Sequence, residues 1–211
     1  MGTEARTEAS IAPLVIRLQL TDEQQRLIRE RTGLDIPVVP VETDAKWIEC
    51  VFGGVELRVE RGVFVPTPNT ERLLEHAVRD ASLHERPILV DVGTGCGAVA
   101  LAAATKLPAA AVFATDISAD ALRCARQNRA RLGLLNVQFM LGSLMTPVPA
   151  RLRRTVNVVV ANLPYLPPAA TEAARHAFPQ GTAVGLGTDG LGLPRRLALA
   201  ARDYLAPGDR C

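Results

Sequence analysis

The residues best placed to do chemistry are Asn162-Leu163-Pro164-Tyr165, which close an apolar run, and a glycine loop about seventy residues earlier. An amide or aromatic amine nitrogen is a poor nucleophile because its lone pair is delocalised. If it donates both N–H groups to fixed acceptors, the nitrogen is held in line with an activated carbon. The Asn162 side-chain oxygen and the Leu163 carbonyl can be those acceptors. Pro164 stiffens the turn, and the Tyr165 ring can cover a planar group. Positioning and electrostatics of this kind are the main needs of displacement on an already activated methyl. No general base is required, and His76, His84 and His176 lie in no catalytic motif.

The loop reads Val90-Asp91-Val92-Gly93-Thr94-Gly95-Cys96-Gly97. Its glycines let backbone pass close to a ligand, and the helix beyond offers free N–H groups and a partial positive charge. Asp91 can accept from an α-ammonium, directly or through water. Asp116 lies 19 residues past Gly97 (116 − 97) at the tip of the next strand, where doubly wound folds place an acid on ribose hydroxyls. Together the two motifs suggest S-adenosylmethionine (SAM) as cofactor and methylation of a nitrogen. Gly93-x-Gly95-x-x-Ala98 also satisfies the relaxed dinucleotide fingerprint, so an NAD-type oxidoreductase is the first rival. A nicotinamide enzyme has no particular need for the Asn162 loop. A non-catalytic binding protein that keeps the fold is the second rival.

These motifs need a scaffold, and the chain predicts one. From Pro87, strand and helix alternate: strand Ile88–Val90, helix Ala98–Lys106, strand Ala111–Thr115, a helix capped by Ser118 and closed by Gly133, then strands Val137–Met140 and Val156–Ala161. That order predicts a doubly wound, parallel α/β sheet. Residues 1 to 65 read as an N-terminal extension: a polar start, a helix from Thr21 to about Gly33, and a hairpin over Trp47–Val59 turning at Gly53-Gly54. Residues 66 to 211 read as the catalytic domain.

The 211 residues, 48% apolar, suffice for one real core, and a net charge of +2 gives no strong field toward nucleic acid or membrane. The basic residues are almost all arginine and read as a solvated surface. Cys50, Cys96, Cys124 and Cys211 show no C-x-x-C spacing, and no secretory leader is evident. No metal site and a reducing cytoplasm are therefore expected. No apolar run reaches membrane-spanning length.

The motifs resemble those of the HemK-type protein glutamine methyltransferases, which transfer methyl from SAM to a Gln side-chain amide in translation release factors. The likeness runs from about Val63 to Gly208. Phe64-Val65-Pro66-Thr67-Pro68-Asn69-Thr70-Glu71 is similar to that family's proline-rich segment beside the active site. Asp91, Gly93, Thr94, Gly95, Gly97, Asp116 and Ile117 match its cofactor positions, Ser143 stands at another of them, and Asn162 is shared between cofactor and catalysis. The resemblance implies Pro66, Thr67, Pro68, Thr70 and Tyr165 as acceptor-binding residues, a product S-adenosylhomocysteine, and a class I SAM-dependent methyltransferase (Rossmann-like) fold. Thr188-Asp189-Gly190-Leu191 looks like its Asp-Gly-Leu segment before a late helix.

The chain departs from the pattern at Leu163, where the family has proline, at Ser143, where it has Asp, and at Asn69, where it has Glu. Asn-Leu-Pro-Tyr is similar instead to the loop of adenine-N6 dimethyltransferases of ribosomal RNA. The alternatives are thus a small molecule, a peptide or nucleic-acid adenine as acceptor. The family's sheet carries further strands after Leu205-Ala206-Pro207-Gly208, where only three residues follow here. The expectation is a sheet lacking its C-terminal strands, with the Val156–Ala161 strand left at an edge. The N-terminal segment, an oligomer or a partner would then cover that edge.

Overall fold

A computed structural model describes residues 47–165 and 186–210. The expected Thr21 helix and the polar start lie outside the described residues. By contacts the chain divides into Met1–Ala45 and Lys46–Cys211.

The second unit runs β1 (Trp47–Phe52), β2 (Val55–Glu60), α1 (Pro68–Ala81), β3 (Ile88–Val92), α2 (Ala98–Lys106), β4 (Ala111–Asp116), α3 (Ala119–Leu132), β5 (Val137–Leu141), β6 (Val156–Ala161), α4 (Gly192–Ala201) and β7 (Leu205–Arg210). The central sheet has the order β5-β4-β3-β6-β7, and every pairing in it is parallel. Alternation sorts its side chains to two faces. Leu89, Val112, Val158 and Val160 pack with α1, α2 and α3, while Val90, Val92, Phe113 and Val159 pack with Leu197, Ala201 and Tyr204. Both faces are covered, as a parallel sheet requires. The chain leaves β3 toward β4 on one side and returns to β6 on the other, so the order reverses at β3.

One expectation is corrected. The sheet does have a fifth strand: β7 lies beside β6, with Val156 opposite Leu205 and Val158 opposite Arg210. Two residues of β6 thus span five steps of β7, and the irregular register absorbs Pro207-Gly208, which cannot sit in a regular ladder. β6 is therefore interior, and β7 takes the edge position in its place. Phe52, Val55, Leu57 and Val59 of the hairpin alternate inward and share one core with Leu74, Leu101 and Leu122. The hairpin forms its own two-stranded sheet and groups by contacts with Lys46–Cys211.

The hairpin turn shows why glycine is needed. Gly53 and Gly54 have φ of +57° and +89°, the pattern of a type I′ turn. A Cβ on Gly53 would lie 2.4 Å from Leu74 Cδ2. Its N–H donates to Glu71 Oε1 at 3.1 Å, tying the tip to α1. On the far side, β2 is held by Asn128 of α3. Arg58 N–H donates to Asn128 Oδ1 (2.9 Å), and Asn128 Nδ2 donates to Arg58 O (2.9 Å) and to Cys96 O (3.1 Å). One buried amide thus joins hairpin, helix and glycine loop.

The arginines of α3 also have structural work. Arg129 and Arg126 donate to the Val137 and Phe139 carbonyls at 3.0 and 3.5 Å. Those carbonyls lie on the free edge of β5, and a guanidinium there blocks pairing with another strand. Arg123 pairs with Glu60 and Asp120.

Candidate functional site

Registers in the sheet bring its carboxyl ends level. Val92 stands opposite Thr115 on one side and Ala161 on the other, and Asp116 stands opposite Leu141. The loops beginning at Gly93, Ile117, Gly142 and Asn162 therefore leave one edge together, around the point where strand order reverses. Ligands of doubly wound sheets bind in that crevice.

The glycine loop is held from both ends. Gly93 and Thr94 N–H donate to Thr115 O at 2.8 and 3.0 Å. Beneath it lies Asp91, 2% exposed, whose Oδ2 accepts from the Thr94 hydroxyl (2.6 Å) and Ala100 N–H (3.2 Å). Asp91 is thus a strut as well as a candidate ligand. Its Oδ1 makes no hydrogen bond among the described residues. Burial pushes its carboxyl up to about 6, partly offset by those two bonds. The nearby Cys96 thiol is pushed up by burial too, so it stays protonated and fills space.

Asp116 bridges backbone: Oδ2 accepts from Gly95 N–H (2.8 Å) and Oδ1 from Ser118 N–H (2.9 Å). A carboxylate has about four acceptor sites, so each oxygen keeps capacity for another donor. Ile117 beside it is 78% exposed, an apolar face presented to solvent at the crevice. No atom lies within 4 Å of where a Cβ on Gly95 would stand, so that side of the loop is open.

The Asn162 loop sits against this cradle. Gly93 has φ of +74°, and a Cβ there would lie 2.9 Å from Leu163 Cδ2, so the two loops touch. Leu163 also packs on the core beneath the sheet. Tyr165 is 53% exposed. Asn162 Nδ2 donates to Thr70 Oγ1 at 3.1 Å. Thr70 belongs to the first turn of α1, where Thr67 is the N-cap and Pro68 the first helical residue, a position proline suits.

The structure therefore brings together Asp91, Gly93, Thr94, Gly95, Gly97, Asp116, Ile117, Asn162, Leu163 and the start of α1. Pro66 and Thr67 are partly exposed and Pro68 fully, but Thr70 is buried at 5% exposure and meets Asn162. Ser143 is exposed on the loop after β5, and no hydrogen bond joins it to the other site residues among those described. Two residues of consequence were not singled out from sequence. Asn128 could have been, as an amide on the apolar stripe of Ala121, Leu122 and Ala125. Leu144, a non-glycine with φ of +48°, gives no sequence signal; its carbonyl accepts from buried Thr115 Oγ1 at 2.9 Å.

A family model described as a methyltransferase domain matches residues 89–181. The chain is 39% identical to the release factor glutamine methyltransferase of Deinococcus radiodurans over 181 residues, covering 85% of this chain and 62% of that protein. It is 39% identical to the one of Streptomyces coelicolor, covering 74% and 56%. Against the one of Vibrio cholerae it is 38% identical, covering 54% and 39%. The chain thus spans about six-tenths or less of the length of these relatives.

Proposed function

We propose, from the premise that this chain is similar over most of its length to release factor glutamine methyltransferases, that it is a SAM-dependent N-methyltransferase whose acceptor is a glutamine side-chain amide of a protein. The observation that carries this reading is the junction of β3 and β6, where Leu163 lies on Gly93 and an amine-orienting loop adjoins a glycine cradle. The five-stranded parallel sheet is of the class I SAM-dependent methyltransferase type. Action in the cytoplasm, where translation runs, follows from such an acceptor.

The residues present fit the cofactor. The open side of Gly95 would admit a ligand against backbone, Asp91 Oδ1 and Asp116 have acceptor capacity that would hold its ammonium and ribose hydroxyls, and Ile117 would offer an apolar wall to its purine. When bound, SAM supplies a methyl activated by its sulfonium. The chain's own part is to hold the acceptor. Asn162 Oδ1 and the Leu163 carbonyl accept its two N–H groups, and Tyr165 covers the planar amide. No residue has to remove a proton before transfer. The proton leaves the nitrogen afterwards, when it has become acidic.

Calorimetry tests the cofactor assignment. SAM and S-adenosylhomocysteine should bind and NAD should not, and Asp116→Ala should weaken SAM by about 1–3 kcal/mol, the scale of hydrogen bonds to a charged acceptor. NAD binding in preference to SAM would overturn the assignment; unchanged affinity in the variant would remove Asp116 from the site.

Asp91 gives the binding a pH dependence. Its folded value, about 6, lies above that of an unfolded aspartate. In the free protein its contribution therefore favours folding at low pH and is lost as pH rises through about 6. A bound ammonium has the opposite preference, for ionised Asp91. SAM affinity should accordingly rise between roughly pH 5 and 7 and then level off, whereas Asp91→Asn should show a flat profile. A flat wild-type profile would take the ammonium off Asp91.

A further inference from the structure

We propose that Thr70 is a positioning residue for the reaction: its buried hydroxyl fixes which end of the Asn162 amide faces the acceptor nitrogen. This rests on the functional reading above and assigns Thr70 a task distinct from touching the acceptor.

An asparagine amide is nearly symmetric in shape, and a half-turn about its last torsion exchanges an acceptor for a donor. An acceptor amide nitrogen brings N–H groups, so the wrong orientation sets donor against donor. Something must choose. Asn162 Nδ2 donates to Thr70 Oγ1 at 3.1 Å. The same oxygen accepts from Thr67 N–H at 3.3 Å and lies 3.3 Å from the Thr67 hydroxyl. The Thr67 N–H can only donate, so it takes one lone pair. With the Thr70 proton turned to Thr67 Oγ1, the second lone pair takes the Asn162 amide N–H, and every valence of the hydroxyl is used. At 5% exposure there is little room for water to stand in for Asn162. The Asn162 oxygen is then the end left over, and it makes no hydrogen bond among the described residues.

The geometry also explains why this position is in a helix's first turn. The capping pair Thr67 and Thr70 anchors the hydroxyl to backbone, and a β-branched side chain has few rotamers to lose. The start of α1 thus transmits a fixed direction to a loop 92 residues later in the chain.

The test compares Thr70→Val and Thr70→Ser in the full chain, below their melting temperatures. Thr70→Val should lower kcat by about tenfold or more, the size of one lost hydrogen bond, with the KM for the acceptor and the Kd for SAM within about twofold of wild type. Thr70→Ser should recover most of kcat. Independently of turnover, the Asn162 side-chain amide proton resonances, assigned through Asn162→Asp, should shift between wild type and Thr70→Val and return in Thr70→Ser. Unchanged resonances in Thr70→Val would overturn the proposal even if no acceptor were ever methylated. So would a serine variant that behaves like valine, or a kcat loss matched by lost SAM binding. Absent methyl transfer in wild type, with the resonance shifts as expected, would instead sink the functional reading alone.

Discussion

Asn162→Ala is expected to slow methyl transfer by about 10²–10³-fold, the effect of removing one preorganised group that meets the reacting centre in its transition state. SAM affinity should stay within about twofold. The asymmetry follows from where the contacts are made. In the proposed arrangement the Asn162 oxygen would meet the acceptor nitrogen, while its Nδ2 is engaged by Thr70 rather than by the glycine loop. Interactions made only with the reacting group lower kcat, whereas those shared with the bound cofactor also change its Kd. Single-turnover rates and calorimetry on the same preparation separate the two. Parallel losses of both would make Asn162 a structural turn residue.

The second large effect is on stability. Asn128→Ala should destabilise the fold by about 2–4 kcal/mol, because it strands Arg58 N–H and Cys96 O and leaves Arg58 O only the weak Cys124 thiol donor at 3.2 Å. Asn128 is 1% exposed, so water cannot readily replace the amide. Asn128→Asp should cost more at neutral pH, since it buries a charge and turns an acceptor toward two carbonyls. Denaturant midpoints measure both. Because Cys96 lies in the glycine loop, SAM should also bind Asn128→Ala more weakly. A midpoint within experimental error of wild type would mean the hairpin does not depend on this tie.

The sheet that carries the site was legible because its signals are local. Short apolar runs at Ile88–Val92 and Val156–Ala161 have no polar face to present to water, and Ser118 and Gly133 mark the ends of α3. The glycine loop and Asp116 were legible for a related reason: positive φ and a strand-end acid leave a compositional trace. β7 was missed because only three residues follow Pro207-Gly208, too few to read as a strand in sequence, and only the long-range register with β6 accommodates it. The hairpin's place in the main core was hidden in the same way. Its alternation shows that one face is buried, not which helices bury it. The tasks of Asn128 and Thr70 depend on partners 70 and 92 residues away in sequence. No periodicity encodes those distances; they follow from the packing of α3 and α1 against the sheet. The arginines read from sequence as a solvated surface include Arg126 and Arg129, which bond the carbonyls along the β5 edge rather than merely facing solvent.

Locating the transferred methyl is the most direct test of the central claim. The full chain would be incubated with methyl-labelled SAM and a bacterial translation release factor, and the product fragmented in a mass spectrometer. The predicted result is one methyl on the side-chain amide nitrogen of a single glutamine, lost when that glutamine is changed to alanine and strongly reduced with Asn162→Ala. Methyl on an oxygen or carbon, or bound SAM with no transfer to any glutamine of the factor, would contradict it.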